Sequence, residues 1–350
     1  MSALLDHIIL EADTPIRQAI ACMDMGRKGI VLIVDENKRL QGTVVDGDIR
    51  RAILAGLDLN GSISKILEQK TSNEPRKPIS APVGSSRQTV VELMRRHSVR
   101  QIPLVDDEGR VADLVTASDI VAEEEPQLQA MIMAGGFGTR MHPFTKDCPK
   151  PLLPVGDKPL LSHIIDQLKQ AGIYRVNLST YYLANRIQQH FGDGSEHGVE
   201  LNYITEDKPL GTAGALGLLG VPDQPLLIIN GDILTQVDFR AMMHFHQEAE
   251  SLLTVAVRKY ELPVPFGVVE SDGVEVTNLI EKPTYSLFVN AGIYLLEPTA
   301  CLLVREGEHL DMPELIQRLL VRGERVISFP IIEYWLDVGN PEDYQKAQDD

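Results

Sequence analysis

The sequence predicts an α/β chain with two domains, because different patterns of apolar residues lie on either side of a short acidic break. Residues 1–124 contain an internal repeat, and residues 127–350 alternate short apolar strands with amphipathic helices. The break itself, 123–126 (EEEP), has no apolar face to bury and ends in proline, which is typical of a linker. A chain of 350 residues is also long enough for two or three domains at about 150 residues per domain.

Composition excludes two broad classes of protein. With 43% hydrophobic and 24% charged residues, the chain can bury real cores and is not a disordered tail. The formal net charge of −17 argues against a general nucleic-acid binder, because contacts with nucleic-acid phosphates need a basic face. Any phosphate chemistry must therefore depend on a local cluster of cations within an acidic surface.

Cysteine usage and hydropathy predict a cytoplasmic protein with no membrane contact. Cys22, Cys148 and Cys301 are odd in number and scattered, and they lack the paired spacing of a zinc site, which favours a reducing compartment. The sequence has neither a secretory signal nor an apolar run near 18 residues.

The N-terminal repeat has a period of 71 residues, the separation of Asp35 from Asp106. The same shift aligns Asp48 with Asp119 without a gap. Each copy predicts a helix, an apolar strand ending in Asp, a charged turn, a second strand, and a helix that opens near the last Asp. Two such copies can cover each other's apolar sheet faces, which neither copy can do alone.

This arrangement resembles a tandem pair of CBS modules, with the first repeat at 1–58 and the second at 73–124. The resemblance implies a regulatory unit that binds adenine nucleotides in the clefts between the repeats. In that family the Asp at the start of the final helix holds a ribose, which would be Asp48 in the first copy and Asp119 in the second.

The two clefts differ in sequence. Thr116 occupies the usual Thr/Ser contact position of the family three residues before Asp119, whereas Val45 occupies the matching position of the first copy. The resemblance therefore predicts that one cleft is weaker or empty. The alternative is that Asp48 and Asp119 serve only as helix caps, because Asp is a preferred capping residue.

A glycine-rich loop with two well-spaced cations opens the C-terminal half. The apolar run 131–133 predicts a central strand, and Gly135, Gly136 and Gly138 follow where that strand ends. Glycines there let main-chain N–H groups approach an anion closely. Arg140 and Lys150 then supply charge for phosphate oxygens. The loop is neither a P-loop nor a dinucleotide fingerprint, and the combination predicts a nucleotide-phosphate cradle.

Alternating strands and helices follow the cradle and predict a mainly parallel sheet with helices on both faces. The predicted helices are 159–171 and 185–191, and the predicted strands are 176–180, 201–204 and 226–229. Ligands collect at the carboxyl ends of such strands, where both the glycine loop and Asp232 would lie. Asp232 is therefore a candidate ligand for Mg²⁺, which favours one or two carboxylates plus substrate phosphate oxygens. An Asp in that position is also a common turn residue.

The segment 131–155 resembles the N-terminal motif of the sugar-1-phosphate nucleotidyltransferases, and the resemblance continues to the end of the chain. It implies a Rossmann-like, GT-A-like mixed α/β domain over 127–350. It also implies that Mg²⁺ is bound by Asp232 and by Asp337, which lies in a late W-x-D-x-G element. The resemblance assigns nucleotide contacts to Ala134, Gly135, Gly136, Gly138, Thr139, Glu206, Gly211, Thr212 and Gly214.

Weaker motifs imply the sugar-phosphate site. The resemblance assigns this role to Gly267, Glu281, Lys282 and Asn290, with Glu281 accepting sugar hydroxyls and Lys282 binding the sugar phosphate. Taken without the resemblance, an isolated Glu-Lys pair is usually a solvated surface.

The reaction implied is transfer of a nucleotidyl group from a nucleoside triphosphate to a sugar 1-phosphate, with release of pyrophosphate. Arg140 would stabilise the triphosphate and leaving group, and Lys150 the α-phosphate. The loop after Glu206 is closest to the mannose-1-phosphate guanylyltransferase branch, which favours GTP. The fused CBS pair resembles enzymes supplying activated amino sugars for surface glycans. Mannose, N-acetylglucosamine, glucosamine and heptose phosphates all remain open as acceptors.

Two alternatives remain. The chain could be a catalytically silent nucleotide-sensing regulatory protein, or a cytidylyl-, uridylyl- or thymidylyltransferase of the same fold. We also expect a homo-oligomer. No acetyltransferase domain is expected, because the sequence stops soon after Tyr344. His244 and His246 have no metal-ligand spacing, which predicts a helix surface.

Overall fold

The computed structural model describes residues 5–70, 78–120 and 127–349. The chain divides into two units, Met1–Glu124 and Glu125–Asp350. The predicted linker 123–126 lies outside the described residues.

The N-terminal unit contains two copies of one supersecondary motif. Its helices are α1 (Leu5–Ile8), α2 (Ile16–Gly26), α3 (Asp46–Leu54), α4 (Ser64–Gln69), α5 (Arg87–His97) and α6 (Ala117–Ile120). Its strands are β1 (Ile9–Glu11), β2 (Ile30–Val34), β3 (Leu40–Val45), β4 (Ala81–Pro82), β5 (Gln101–Val105) and β6 (Val111–Thr116). The helix α2 and the strands β2 and β3 recur as α5, β5 and β6 after the 71 residues that the sequence predicted.

Each copy forms a three-stranded sheet, in the orders β1-β2-β3 and β4-β5-β6. The charged turns of the two copies meet, because Leu40 N–H donates to Gly109 O at 3.0 Å and Val111 N–H donates to Lys38 O at 3.1 Å. Val111 of the second copy packs into the apolar cluster formed by the first copy's sheet and helix α1. The copies therefore bury apolar surface jointly, as the repeat predicts.

The C-terminal unit is a mixed α/β domain. Its helices are α7 (Leu160–Gln170), α8 (Ala184–Phe191), α9 (Gly211–Leu219), α10 (Phe239–Glu248), α11 (Met312–Val321) and α12 (Pro341–Asp349). Its strands are β7 (Gln129–Met133), β8 (Pro154–Val155), β9 (Lys158–Pro159), β10 (Arg175–Thr180), β11 (Glu200–Thr205), β12 (Leu226–Asn230), β13 (Ile233–Thr235), β14 (Leu253–Pro263), β15 (Val268–Asp272), β16 (Glu275–Ile280), β17 (Thr284–Leu296), β18 (Val326–Ile331) and β19 (Trp335–Asp337). Short 3₁₀ turns lie at Thr139–Met141, Lys150–Leu152, Ser195–His197 and Pro298–Leu303.

Seven strands form the central sheet, in the order β11-β10-β7-β12-β17-β14-β18. The pairs β11/β10, β10/β7, β7/β12 and β14/β18 are parallel, whereas β17 runs antiparallel to both of its neighbours. The predicted strands and helices are confirmed to within two residues at each end. The sheet is parallel where β–α units follow one another, and β17 reverses because a long hairpin connects it to β14.

The parallel half of the sheet brings the predicted phosphate loop and Asp232 to one edge. Strand β7 lies between β10 and β12 in register, with Met133 beside Ser179 on one side and Asn230 on the other. Both neighbours run parallel to β7, so the segments that follow all three strands leave the sheet together.

Strands β14 and β17 extend beyond the sheet as a long antiparallel ribbon that ends in the hairpin β15/β16. We call residues 258–289 the arm. Many apolar side chains of the arm are exposed to solvent, in contrast with the buried strands β7 and β12. The exposed apolar side chains are those of Tyr260, Leu262, Phe266, Val269, Val274, Val276, Leu279, Tyr285, Leu287 and Phe288.

Cys22 and Cys301 are buried, Cys148 is half-buried, and all three are free thiols. Burial raises the pKa of the Cys301 thiol to about 11, which keeps it protonated and unreactive near neutral pH. Over the ranges that the structure describes, no helix is both long and apolar enough to cross a membrane.

The prediction that His246 lies on the surface of a helix is wrong, because its side chain is only 1% exposed. Its Nδ1 lies 2.7 Å from Thr254 Oγ1 and 2.8 Å from Ser251 Oγ, and its Nε2 lies 3.2 Å from Glu297 Oε1. Helix α10 is thus joined to β14 and to the residue after β17. Burial lowers the pKa of His246, and the Glu297 carboxylate only partly opposes this.

Acid should therefore destabilise the C-terminal unit through His246. The folded-state pKa lies below the unfolded value of about 6.5, so the unfolded chain takes up a proton first as pH falls. The stabilisation is present above pH ~6.5 and is lost as pH falls through the folded-state pKa. We expect Tm to fall more steeply between pH 7 and 5 in the wild type than in His246→Gln, measured by thermal scanning.

His309→Gln is the matched control, because His309 is exposed in the same unit and should keep the wild-type slope. Equal slopes for the wild type and His246→Gln would contradict the assignment.

Candidate active site

The glycine loop begins where β7 leaves the sheet and is fixed at its base by main-chain hydrogen bonds. Ala134 N–H donates to Ser179 O at 2.9 Å, and Gly231 N–H donates to Met133 O at 2.9 Å. Gly135 lies so close to the next loop that a Cβ there would meet Glu206 Oε1 at 3.1 Å. The backbone of this loop is thus held by the strands on both sides of β7.

The second part of the loop turns back through Gly138, whose φ is +62°. Thr145 is fully buried beneath it and donates from Oγ1 to Gly138 O at 2.6 Å. A Cβ on Gly138 would meet Thr145 Cγ2 at 2.9 Å, so only glycine fits both the space and the conformation. Gly136, in contrast, faces open space and leaves room for a ligand beside the main chain.

The two predicted cations follow on the 3₁₀ turns Thr139–Met141 and Lys150–Leu152. Lys150 is 11% exposed, and its Nζ lies 2.6 Å from Asp232 Oδ2, whose side chain is 24% exposed. Arg140 is exposed to solvent. One cation is therefore already held by a carboxylate, and the other remains open to an incoming anion.

Asp232 and Asp337 are brought together by a short antiparallel pair. Strand β13 pairs with β19 so that Ile233 lies opposite Asp337, and Val338 N–H donates to Asp232 O at 2.9 Å. The pKa of Asp337 is raised, chiefly by burial and further by the Asp232 carboxylate. Lys150 and Arg140 offset part of this rise. The four side chains that the sequence singled out thus influence one another at one edge of the sheet.

This corner suits a hard divalent cation. Asp337 Oδ1 is buried without a hydrogen-bond partner, and it lies beside a second carboxylate. Within the described part of the chain, no group of three or more His, Cys, Asp or Glu side chains forms a metal cage. Two carboxylates with open positions are the arrangement that Mg²⁺ uses when substrate phosphates complete its ligands.

The second glycine loop, which was predicted to contact the nucleotide, is bonded through its main chain to the segment before α11. Thr212 N–H donates to Asp311 Oδ1 at 2.9 Å, and Gly214 N–H donates to Leu310 O at 3.0 Å. A Cβ on Gly211 or Gly214 would clash with the backbone of residues 308–310. In this structure the loop packs helix α9 against the chain before α11, and the N–H groups of Thr212 and Gly214 are occupied.

Glu206 is also occupied by protein groups. Its carboxylate is buried and accepts hydrogen bonds from Ser179 Oγ at 2.5 Å and from Leu210 N–H at 2.8 Å. It therefore braces the first glycine loop from behind, rather than presenting free oxygens to a nucleotide.

The amino acids that were predicted to bind the sugar phosphate lie in two separate places. Asn290 lies near the carboxyl end of β12, where its amide donates to Tyr294 OH at 2.7 Å and accepts from Gly292 N–H at 3.0 Å. Gly267 and Glu281 lie side by side on the arm, because a Cβ on Gly267 would meet Glu281 Oε2 at 3.1 Å. Lys282 is exposed beside them with φ +44°. Among the described residues, no hydrogen bond or ion pair joins Lys282 to Lys150 or Asp232.

Residues that the sequence did not single out hold the loop between the two cations. Tyr182 OH donates to Lys146 O at 3.0 Å, and Arg186 donates to Asp147 O. From the other side, Tyr344 OH donates to Pro154 O at 2.6 Å, and its ring lies 5.4 Å from that of Phe144. In the sequence, the one indication of a role for Tyr344 is its position shortly after the W-x-D-x-G element.

In the N-terminal unit, the predicted ligand residue Asp48 has several partners within the protein. Its side chain is 5% exposed, and its oxygens lie 2.6 Å from Arg51 Nη2 and 3.0 Å from Lys70 Nζ. It also accepts from Val45 N–H at 3.0 Å. The carboxylate therefore pairs with Arg51 of its own copy and with Lys70 from the segment that follows that copy.

Asp119, the matching residue of the second copy, is 44% exposed. Oδ2 accepts from Thr116 N–H at 2.8 Å and Thr116 Oγ1 at 2.7 Å, and Oδ1 lies 2.9 Å from Lys28 Nζ of the first copy. Burial alone would raise the pKa of Asp119, but the hydrogen bonds from Thr116 and Lys28 lower it overall. The two copies are therefore unequal, as the Thr116/Val45 difference predicted.

Residues 129–350 match the family described as nucleotidyl transferase, and residues 5–55 and 75–125 match the CBS domain. The chain belongs to the nucleotidyl transferase family. The tandem CBS pair and the mixed α/β fold class predicted from the sequence are confirmed.

Curated proteins similar to this nucleotidyl transferase include a mannose-1-phosphate guanylyltransferase of Mycobacterium tuberculosis, 32% identical over 64% of this chain and 64% of the relative. A mannose-1-phosphate guanyltransferase of Debaryomyces hansenii is 31% identical over 62% of each chain. The chain thus spans under two thirds of the length of these relatives.

Two solved structures are similar over 63% of this chain. One is a putative glucose-1-phosphate thymidylyltransferase from Bacillus anthracis in complex with a sucrose, with 28% identity, 94% of its chain covered and a TM-score of 0.53. The other is HddC from Yersinia pseudotuberculosis, with 26% identity, 98% covered and a TM-score of 0.50; a second structure of HddC contains GMP-PN.

Helix α12 should hold the loop between Arg140 and Lys150 through Tyr344. Tyr344→Ala removes a hydrogen bond and a ring contact, together of order 1–3 kcal/mol, and should speed amide exchange at Leu152 and Leu153 roughly ten- to a hundredfold. Hydrogen exchange with mass spectrometry measures this directly.

Tyr344→Phe should have a smaller effect, because it loses the hydrogen bond to Pro154 O but keeps the ring contact with Phe144. Tyr174→Ala, at an exposed tyrosine elsewhere in the unit, is the control. Unchanged exchange in Tyr344→Ala would show that α12 does not restrain the loop.

Proposed function

We propose that this chain is a sugar-1-phosphate guanylyltransferase, which transfers GMP from GTP to a sugar 1-phosphate and releases pyrophosphate. The observation that carries the proposal is the convergence of Lys150, Arg140, Asp232 and Asp337 beside a glycine loop at one edge of the sheet. This combination of cations and paired carboxylates fits a polyphosphate with a divalent cation.

The reaction needs little covalent help from the protein. A phosphate oxygen of the sugar 1-phosphate attacks the α-phosphorus of GTP, a new P–O bond forms, and the bond to the β-phosphate bridging oxygen breaks. The electron pair leaves with pyrophosphate. The attacking oxygen is already ionised near neutral pH, so no general base is needed, and alignment and charge stabilisation are the protein's tasks.

Each charged side chain has a separate task in this proposal. Arg140, exposed at the loop, binds the triphosphate and the departing pyrophosphate. Lys150 is oriented by its 2.6 Å ion pair with Asp232 and stabilises charge on the α-phosphate. Asp232 and Asp337 would hold Mg²⁺, which when bound neutralises phosphate charge. Asn290 and the arm residues Gly267, Glu281 and Lys282 would bind the sugar phosphate.

The names of similar proteins favour guanine over the other nucleobases and mannose over the other sugars. The similar curated proteins are named for mannose 1-phosphate and guanylyl transfer, and HddC was solved with GMP-PN. The Bacillus anthracis structure carries a thymidylyltransferase name, so thymidylyl transfer is the competing assignment for the base. A role in supplying nucleotide-sugars for surface glycans fits this chemistry.

The CBS pair supplies a regulatory site in this proposal. Asp119 and Thr116 of the second copy would receive the ribose of an adenine nucleotide, whereas Asp48 is closed off by Arg51 and Lys70. One nucleotide per chain is therefore expected. Free cysteines favour action in the cytoplasm, and the exposed apolar side chains of the arm favour a homo-oligomer.

The catalytic proposal is tested with a grid of four nucleoside triphosphates against several sugar 1-phosphates in Mg²⁺, scored for released pyrophosphate. We expect GTP with mannose 1-phosphate to give the highest kcat/KM. Pyrophosphate release with another base would overturn the guanine assignment. Silence across the grid would favour the nucleotide-sensing alternative.

Lys150→Ala and Arg140→Ala should each lower kcat by roughly 10² or more, by analogy with removing one preorganised charge stabiliser. Lys169→Ala is the matched control, because Lys169 lies on helix α7 and its Nζ donates to the His197 carbonyl. Wild-type rates in both active-site variants would contradict the assigned roles.

Calorimetry of the whole chain with AMP, ATP and S-adenosylmethionine tests the regulatory site. Asp119→Asn should abolish adenine-nucleotide binding, because it replaces one of the two acceptor oxygens with an NH₂ donor and removes the charge, whereas Asp48→Asn should leave the affinity unchanged. The reverse pattern would contradict the choice of cleft. No heat with any of the three ligands would leave the CBS pair as a structural unit.

A further inference from the structure

Two buried side-chain oxygens lack a hydrogen-bond partner within the described residues, and both lie at the same corner of the C-terminal unit. They are Asp337 Oδ1 and Asn230 Oδ1. An unsatisfied buried acceptor costs ~1–3 kcal/mol, and natural structures contain few of them. Asp337 already has a candidate role, but Asn230 has none in the proposed reaction.

Asn230 is the last residue of β12, two residues before Asp232. Its side chain lies against Gly292, where a Cβ would meet Asn230 Nδ2 at 2.6 Å and Ile233 Cγ1 at 3.4 Å. Ile233 is in turn the β-bridge partner of Asp337. The Asn230 amide therefore borders the same β13/β19 pair that joins the two carboxylates.

Gly292 explains why the amide stays in this position. Its φ is +70°, which favours glycine, and any side chain there would collide with the Asn230 amide. The preceding carbonyl, Ala291 O, accepts from Trp335 Nε1 at 2.9 Å and so ties this bend to β19. The amide is packed into a pocket that glycine leaves open, although its oxygen finds no donor there.

We propose that Asn230 is a third oxygen donor of the divalent-cation site, alongside Asp232 and Asp337. Hard cations prefer oxygen ligands, and a neutral amide oxygen adds a ligand without adding a third negative charge to a corner where the carboxylates already repel each other. A cation would satisfy both orphan oxygens at once. The inference rests on the proposed function for its assignment of the two carboxylates.

Titration of the whole chain with Mn²⁺, followed by electron paramagnetic resonance, tests this without turnover. Asn230→Leu, which removes the oxygen but keeps the shape of the side chain, should weaken Mn²⁺ binding about tenfold or more, in the range seen when groups around a metal site are removed. Asn230→Asp keeps an oxygen at the position and should bind Mn²⁺ at least as well as the wild type. Asp232→Asn is the reference for loss of the site.

Melting without metal separates this role from a structural one. Asn230→Leu should have a Tm equal to or above that of the wild type, because it removes an unsatisfied acceptor, and it should gain less Tm on addition of Mg²⁺. A structural asparagine would instead lower Tm without metal and leave Mn²⁺ affinity unchanged.

The outcomes distinguish this inference from the proposed function. If the wild type and Asp232→Asn bind Mn²⁺ equally, the cation site itself is wrong and both fail. If Asp232→Asn loses binding but Asn230→Leu retains the wild-type affinity, only the role of Asn230 fails. Should Asn230→Leu not fold, weaker binding by Asn230→Asp than by the wild type would overturn the role.

Discussion

The ion pair between Lys150 and Asp232 is the interaction on which the site depends. Two carboxylates held close together at the rim of an apolar sheet repel each other, and burial makes the charged form of Asp337 costlier still. Lys150 and Arg140 offset part of that cost. The loop that delivers both cations must therefore be held firmly, and four separate hydrogen bonds from Thr145, Tyr182, Arg186 and Tyr344 do this.

Glycines in the C-terminal unit serve two different purposes, which their sequence motifs do not distinguish. Gly136 leaves open space beside the phosphate loop, whereas Gly211 and Gly214 allow helix α9 to pack directly against the backbone of residues 308–310. A glycine-rich segment near a nucleotide site is thus not always a ligand contact. The test is whether its N–H groups are free, and those of Thr212 and Gly214 are already bonded.

The CBS pair shows how two copies of one motif diverge through a few charges. Both copies keep the Asp at the same position of the repeat, but Asp48 pairs with Arg51 of its own copy and with Lys70, which follows that copy. Asp119 instead pairs with Lys28 from the other copy and remains partly exposed. The Asp119 carboxylate is thus the more accessible of the two, because it is 44% exposed whereas that of Asp48 is 5% exposed.

The sequence by itself determined the repeat, the strand and helix positions of the sheet, and the identity of the charged residues, because each depends on local periodicity or on a short motif. The resemblance named Asp232 and Asp337, 105 positions apart in the numbering, as ligands of one ion, and the tertiary structure is what brings them to one corner. The tertiary structure also buried His246, bonded the N–H groups of Thr212 and Gly214, paired Asp48 with Arg51 and Lys70, and left Asn230 Oδ1 without a hydrogen-bond partner among the described residues. Burial and hydrogen-bond pairing are set by residues distant in sequence, and a local pattern contains no information about which of them will arrive.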